Sequence, residues 1–230
     1  MAIELEVCAD EKAAARRAAE LIAAVGAAAV AERNVFSLAM SGGRTPWAML
    51  AILGEIEQMP WPNAELFQVD ERLASPGSED RNLTHMVLGL SMDHQAVLRP
   101  MPVTQRDLDG AARDYENTLP DPLDCVHLGL GPDGHTASLV PGDPVLDVIG
   151  ADVALTGVYQ GRRRMTLTYP ILNRSRRIVW VVTGREKAEM LPRLCRGDRS
   201  IPAGRISQEQ ALVLADREAA ARLGPELAIR

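Results

Sequence analysis

Phe36-Ser37-Leu38-Ala39-Met40-Ser41-Gly42-Gly43-Arg44-Thr45-Pro46 reads as a strand, a turn and the opening of a helix in one continuous stretch. The apolar run from Val35 to Met40 is short enough to be a buried strand. Ser41-Gly42-Gly43 ends it, Thr45 suits a helix N-cap and Pro46 suits the first helical turn, so a helix is expected over Pro46 to Leu53. The same unit recurs along the chain. Apolar runs at Glu65 to Val69, Cys125 to Leu130, Ile178 to Val182 and Ala211 to Ala215 alternate with helical patterns at Glu11 to Arg33, Asp107 to Leu119 and Arg185 to Arg196. Strands interleaved with helices mark βαβ units, and an α/β fold is expected: an open, mostly parallel sheet flanked by helices.

The composition agrees with one compact body. A chain of 230 residues, 47% hydrophobic and 24% charged, buries a full core and sits within the usual range for one domain, so a single domain over residues 1–230 is expected. The loops Ser75 to Asp80, Leu119 to Pro122 and Pro141 to Pro144 are too short to be interdomain linkers. A net charge of −6 opposes nonspecific attraction to nucleic acid, while leaving room for a local basic pocket. Cys8, Cys125 and Cys195 show no C-x-x-C spacing and suggest neither a disulfide framework nor a zinc site, which fits a reducing cytoplasm. Met1 to Asp10 carries Glu4, Glu6 and Asp10 and reads as no secretory leader. No apolar run approaches the roughly 20 residues of a membrane helix, so no membrane partner is expected.

Candidate chemistry sits where the strands end. Gly42 and Gly43 clear the approach to backbone N–H groups at the positive end of a helix, an arrangement suited to an anion, and Arg44 adds charge. The stretch lacks the Gly-Lys-Ser/Thr ending of a nucleotide P-loop. Asp70-Glu71-Arg72 follows the run ending at Val69, at the carboxyl end where open sheets place ligands. These side chains hold sugar hydroxyls, supply a base, or form only a solvated turn with an ordinary ion pair.

Cys125-Val126-His127-Leu128-Gly129-Leu130-Gly131-Pro132-Asp133-Gly134-His135-Thr136-Ala137-Ser138-Leu139 is the most informative stretch, because an apolar run ends in glycines that present an Asp and a His together. Gly129, Gly131 and Gly134 match the G-x-G-x-x-G dinucleotide pattern, but Pro132 and His135 break up the helix start that a pyrophosphate site needs. A histidine in such a loop is suited to proton transfer, its ordinary pKa of about 6.5 leaving it largely neutral near pH 7. Asp133 is placed to orient it. His127, inside the run, reads as a hydrogen-bonded core residue, and His85 and His94 as surface residues flanking a helix. The four histidines offer no third convergent metal ligand. Among the late basic residues, Arg162-Arg163-Arg164 contains at least one solvated member, and Lys187 in the first turn of a helix is opposed by the dipole, which suggests an anion nearby.

Taken in order, Ser41-Gly42-Gly43-Arg44-Thr45-Pro46, Val69-Asp70-Glu71-Arg72, Gly129-Leu130-Gly131-Pro132-Asp133-Gly134-His135-Thr136-Ala137-Ser138-Leu139, Arg164-Met165-Thr166-Leu167-Thr168 and Gly184-Arg185-Glu186-Lys187-Ala188 resemble the 6-phosphogluconolactonase family nearly end to end. The related glucosamine-6-phosphate deaminases share the Gly-x-Gly-x-Asp-Gly-His core but typically continue Ile-Ala-Phe-Asn-Glu-Pro, where this chain continues Thr-Ala-Ser-Leu. The resemblance implies a modified Rossmann-like sugar-phosphate isomerase/deaminase fold. It implies hydrolysis of a phosphorylated sugar lactone with no metal or organic cofactor, His135 and Asp133 being catalytic. It also implies that Gly42, Gly43, Arg44, Thr45, Asp70, Arg72, Arg164 and Lys187 bind substrate. The chain departs from the family pattern at Arg44, where Ser or Thr is frequent, at Arg81-Asn82, where a Ser-Asn pair is frequent, and at Tyr159-Gln160-Gly161, where a Lys/Pro-rich loop is frequent. Two other readings are an amino-sugar phosphate isomerase or deaminase, with Asp70 abstracting a proton from carbon, and a noncatalytic sugar-phosphate sensor.

Overall fold

Side chains alternate across each strand, and here both faces are apolar. In β2 (Phe36–Met40), Phe36, Leu38 and Met40 enter one hydrophobic cluster and Ala39 the other. In β9 (Ile178–Val182), Val179 and Val181 join the first cluster, while Ile178, Trp180 and Val182 join the second. A strand buried on both faces belongs in the middle of three layers.

The computed structural model describes residues 3–90 and 95–224. Seven strands make the central sheet: β1 (Glu4–Cys8), β2, β3 (Ala64–Gln68), β5 (Val97–Arg99), β6 (Cys125–Leu128), β9 and β10 (Ala211–Asp216). Their spatial order is β1-β10-β9-β6-β2-β3-β5, and every pairing is parallel. Three helices cover the first face. These are α1 (Glu11–Arg33), α2 (Arg44–Gly54) and α3 (Asn82–Gly89), which bury Ala18, Ile22, Met49, Leu50, Leu53 and Met86. Over the second lie α4 (Leu108–Glu116), α5 (Tyr169–Arg174) and α6 (Met190–Cys195), with Tyr115, Ile171, Leu172, Leu191 and Leu194. The expected α/β architecture, a parallel sheet between helices, is the observed one.

The strand order carries the functional geometry. From β2 the chain moves outward to β3 and β5, then returns to β6 on the other side of β2 and moves outward again to β9 and β10. The order therefore reverses between β2 and β6, and the crevice beyond their carboxyl ends is where such sheets take ligands.

Several expectations need correction. Arg185 to Arg196 is not one helix. A 3-10 turn at Arg185–Lys187 precedes the six-residue α6, because Pro192 cannot donate to a continuous helical ladder. Asp70 to Arg72 is not a loop but β4 (Asp70–Arg72), which pairs antiparallel with β8 (Arg164–Leu167) in a second sheet completed by β7 (Val153–Leu155). β6 stops at Leu128, two residues short of the expected run, because Gly129 to Gly131 turn away from the sheet. β1, β5, β7 and β8 lie outside the expected strands. β5, β7 and β8 are short, and β1 is an edge strand with a largely charged face.

His127 is fully buried, as expected of a core residue, but neither ring nitrogen has a hydrogen-bond partner among the described residues. Burial alone lowers its pKa from 6.5 to about 4. Between those values the unfolded chain holds a proton that the folded chain refuses, so His127 costs stability as pH falls from 6.5 to 4, and the cost is constant below that window. A shift of this size corresponds to about 3 kcal/mol. Urea denaturation of His127→Leu against the parent at pH 7 and pH 4.5 is expected to show the variant losing less stability on acidification, and an equal loss in both would contradict the buried, unpaired imidazole.

Candidate active site

The loop after β2 is built around the absence of side chains. A Cβ on Gly42 would lie 1.9 Å from Asn82 Oδ1, and Gly43 takes φ 131°, a backbone that L-residues rarely adopt. Gly43, not Thr45, is the N-cap of α2, and no side chain caps that end. Among the described residues no side chain takes the first-turn N–H groups, which border the crevice with the positive end of the helix behind them. Thr45 lies within the first turn. Its hydroxyl donates to Glu11 Oε1 at 2.6 Å and lies 2.9 Å from Thr183 Oγ1, tying α2 to α1 and to the end of β9.

Asp70 and Glu71 are buried, so the solvated-turn reading of this segment fails. Glu71 Oε1 accepts from the backbone N–H of Arg72 and Asn82 at 2.8 Å, and Oε2 accepts from Leu83 N and Gln68 Nε2 at 2.9 Å. Arg81 Nε lies 3.4 Å from Oε2. The carboxylate thus serves as the N-terminal anchor of α3. Asp70 faces the cleft, accepting from Ser138 Oγ at 2.5 Å and Asn82 Nδ2 at 3.2 Å. Asn82 Oδ1 in turn accepts from Arg72 Nη1 at 2.6 Å and holds that guanidinium at the cleft wall.

The turn after β6 closes through Gly131 N donating to His135 O at 2.8 Å, and no α-helix opens from its glycines. A Cβ on Gly131 would meet His135 Nδ1 at 2.0 Å, so the imidazole fits only over a glycine. His135 Nδ1 lies 2.6 Å from Asp133 Oδ1, which leaves Nε2 as the nitrogen open to the cleft. Burial raises the Asp133 carboxyl, but the His135 imidazole and hydrogen bonds from His135 and Tyr159 outweigh it and hold the carboxyl below its ordinary range. Tyr159, absent from the sequence-derived site, donates its hydroxyl to Asp133 Oδ2 at 3.1 Å.

Arg164 is buried, with Nη1 3.9 Å from Asp70 Oδ2 and its Nε without a partner among the described residues. Burial lowers its pKa, opposed by Asp70. The other two arginines of the run turn outward: Arg162 pairs with Asp80 at 2.5 Å, and Arg163 Nε donates to Thr156 O at 3.2 Å. Lys187 does not start an α-helix, so the dipole argument for it falls, yet its ammonium lines the same cleft. Burial lowers its pKa, Glu186 and Asp133 oppose this, and Arg44 adds to it. His85 lies within α3 rather than flanking a helix and is half-buried rather than a free surface residue, stacked on Trp47 with centroids 5.5 Å apart. His94 lies outside the described residues.

The result is one cleft of about 360 Å³ at the β2/β6 reversal. Gly42, Gly43, Arg44 and Thr45 meet Asp70, Arg72, Arg164, Lys187 and His135 around it. Asp133 stands behind His135. Ser138 and Asn82, to which sequence reading gave no role, support the wall, and Glu71, expected to hold a sugar hydroxyl or act as a base, supports it from behind instead. The cleft joins a cationic, backbone-lined floor to one imidazole backed by a carboxylate. Among the described residues, no three His, Cys, Asp or Glu side chains converge as metal ligands.

The model of the family described as glucosamine-6-phosphate isomerases/6-phosphogluconolactonase matches residues 9–214. The chain belongs to that family. A Synechocystis relative named 6-phosphogluconolactonase is 34% identical over 215 residues, covering 86% of this chain and 88% of its own. The Mycobacterium tuberculosis protein of the same name is 35% identical over 226 residues, covering 88% and 91%. The solved 6-phosphogluconolactonase of Trypanosoma brucei superposes with TM-score 0.85 at 23% identity, covering 96% of this chain and 99% of that one. A monomeric glucosamine-6-phosphate deaminase superposes with TM-score 0.81 at 19% identity, covering 96% and 100%. These two structures share the family's fold with this chain.

Replacing Glu71 with Gln leaves Arg81 buried without its counter-charge and weakens the anchor of α3. Urea denaturation is expected to show a loss of about 3 kcal/mol, and a loss near zero would show that the buried carboxylate does not hold this wall.

Proposed function

We propose that this chain hydrolyses 6-phospho-D-glucono-1,5-lactone to 6-phospho-D-gluconate, the second step of the oxidative pentose phosphate pathway. The observation that carries the reading is the pairing, in one cleft, of a helix N-terminus without a side-chain cap with His135 hydrogen-bonded to Asp133 at 2.6 Å. Relatives of that name at 34–35% identity over most of the chain support it. So does the Thr136-Ala137-Ser138-Leu139 continuation, which departs from the deaminase pattern.

In this reading the phosphate lies on the Gly42, Gly43 and Thr45 backbone, with Arg44, Arg164 and Lys187 supplying charge. Arginine suits two-point phosphate contact and lysine a point charge. That end fixes the lactone carbonyl near His135. The imidazole takes a proton from a water attacking the carbonyl carbon. The tetrahedral oxyanion is held by Arg72 or by an N–H of the glycine loop. The bond from the carbonyl carbon to the ring oxygen then breaks, and the proton on His135 passes to that oxygen. Asp133 holds the ring and stabilises its charged form. Such a base-then-acid sequence contributes about 10² to 10⁴ in rate.

We take residues 1–230 as a single catalytic domain acting in the cytoplasm. Buried free thiols at Cys8, Cys125 and Cys195 fit a reducing compartment, and among the described residues no helix is long and apolar enough to cross a membrane.

The test is acid release from freshly generated lactone with EDTA present, corrected for spontaneous opening. The parent is expected to turn over rapidly and His135→Gln to fall by roughly 10² or more with folding intact. A parent rate at background, or ammonia release from glucosamine 6-phosphate instead, would overturn the reading. Gly131→Ala is expected to cost on the order of 10² in turnover by pushing the imidazole off its seat, and a normal rate would show that the packing of His135 on Gly131 does not matter.

A further inference from the structure

We propose that Tyr159 is a positioning residue for the His135–Asp133 pair, acting through Asp133. The inference rests on the reading of that pair as the acid-base machinery and adds a third member to it.

A carboxylate has two oxygens, and hydrogen bonds to one of them alone leave the other free to pivot. In this chain both oxygens are taken. Asp133 Oδ1 faces His135 Nδ1 at 2.6 Å and accepts from the His135 backbone N–H at 3.2 Å, and Oδ2 accepts from the Tyr159 hydroxyl at 3.1 Å. The tyrosine ring also packs edge-to-face on the imidazole, with centroids 5.4 Å apart and planes at 65°. One side chain therefore restrains the carboxylate by a hydrogen bond and the imidazole by ring contact, its hydroxyl also lying 3.5 Å from His135 Nδ1.

The tyrosine is itself fixed. Tyr159 and Arg162 exchange backbone hydrogen bonds of 2.9 and 3.2 Å across Gln160 and Gly161, whose φ angles are 50° and 77°. Two consecutive positive φ values make the tight hairpin turn that follows strand twist, which holds the ring at a set angle. On its other side the Arg164 guanidinium lies 5.2 Å from the ring centroid, and Arg164 Nη2 donates to Gln160 Oε1 at 3.3 Å. Tyr159 thus bridges the cation at one side of the cleft to the imidazole at the other.

Tyr159→Phe removes the hydroxyl and keeps the ring. We expect turnover to fall roughly tenfold, the scale of one hydrogen bond to a charged group, with KM and thermal midpoint unchanged. In an Asp133→Ala background the same change should have little further effect on turnover, because the hydroxyl's short bond is to Asp133 and its 3.5 Å approach to His135 Nδ1 is too long to hold the ring. The Nδ1 proton of His135, followed by NMR, reports the restraint without turnover and should broaden in Tyr159→Phe. Normal turnover with an unchanged Nδ1 signal would overturn the proposal. So would a change in KM alone, or an equal loss in the Asp133→Ala background. A parent that fails to open the lactone would instead strike the acid-base reading, and the Nδ1 signal would still decide whether Tyr159 holds the pair.

Discussion

The Glu71 carboxylate takes donors from Gln68, Arg72, Arg81, Asn82 and Leu83, and stands behind the cleft lined by Arg72 and Asn82. Charge-assisted hydrogen bonds of this kind are short and orienting, and in a buried setting they are costly to leave unmade. By gathering the end of β3, the strand β4 and the start of α3 onto one group, Glu71 sets the direction of its neighbours in sequence. Asp70 is turned into the cleft against Ser138 and Asn82, and Arg72 is handed to Asn82 at its wall. The second, antiparallel sheet follows from the same point, since β4 brings Arg164 of β8 to within 3.9 Å of Asp70. A wall assembled this way is rigid, which is what an anion site needs if its charges are to act without reorganising.

The electrostatics are local. The chain as a whole carries a charge of −6, yet Arg44, Arg72, Arg164 and Lys187 converge on one crevice whose floor is also the positive end of α2. Burial lowers the pKa of Arg164 and of Lys187, and Asp70 and Glu186 oppose that drift from the same cleft. An acidic surface with a basic pocket is attractive to a small dianion and unattractive to a polyanion.

Much of this was legible in the sequence, for physical reasons that differ by element. α1 and β9 have the expected limits because an amphipathic run and a short apolar run each have one sensible reading. Gly42, Gly43, Arg44, Thr45, His135 and Lys187 share one cleft because strand ends in a parallel sheet are neighbours whatever their separation in the chain, and Asp70, Arg72 and Arg164 join them through the antiparallel pairing of β4 with β8. What escaped was tertiary. Nothing in Asp70-Glu71-Arg72 by itself says that both carboxylates are buried; the donors that make burial tolerable sit ten or more residues away, in Arg81, Asn82 and Leu83. Asn82 and Ser138 are ordinary polar residues until Asp70 lies between them. Tyr159 stood out only as part of a departure from the family pattern, and its meaning depends on a hairpin whose positive-φ Gln160 has no signature of its own.

In the proposed reaction the cleft holds a phosphate at one end and a carbonyl at the other. The most direct measurement compares kcat/KM for 6-phosphogluconolactone with that for the unphosphorylated lactone, in the parent and in Lys187→Ala. The account predicts a strong preference for the phosphorylated substrate in the parent, eroded in the variant through KM while kcat is largely kept. Equal efficiency on both lactones in the parent, or a preference untouched by the loss of Lys187, would contradict it.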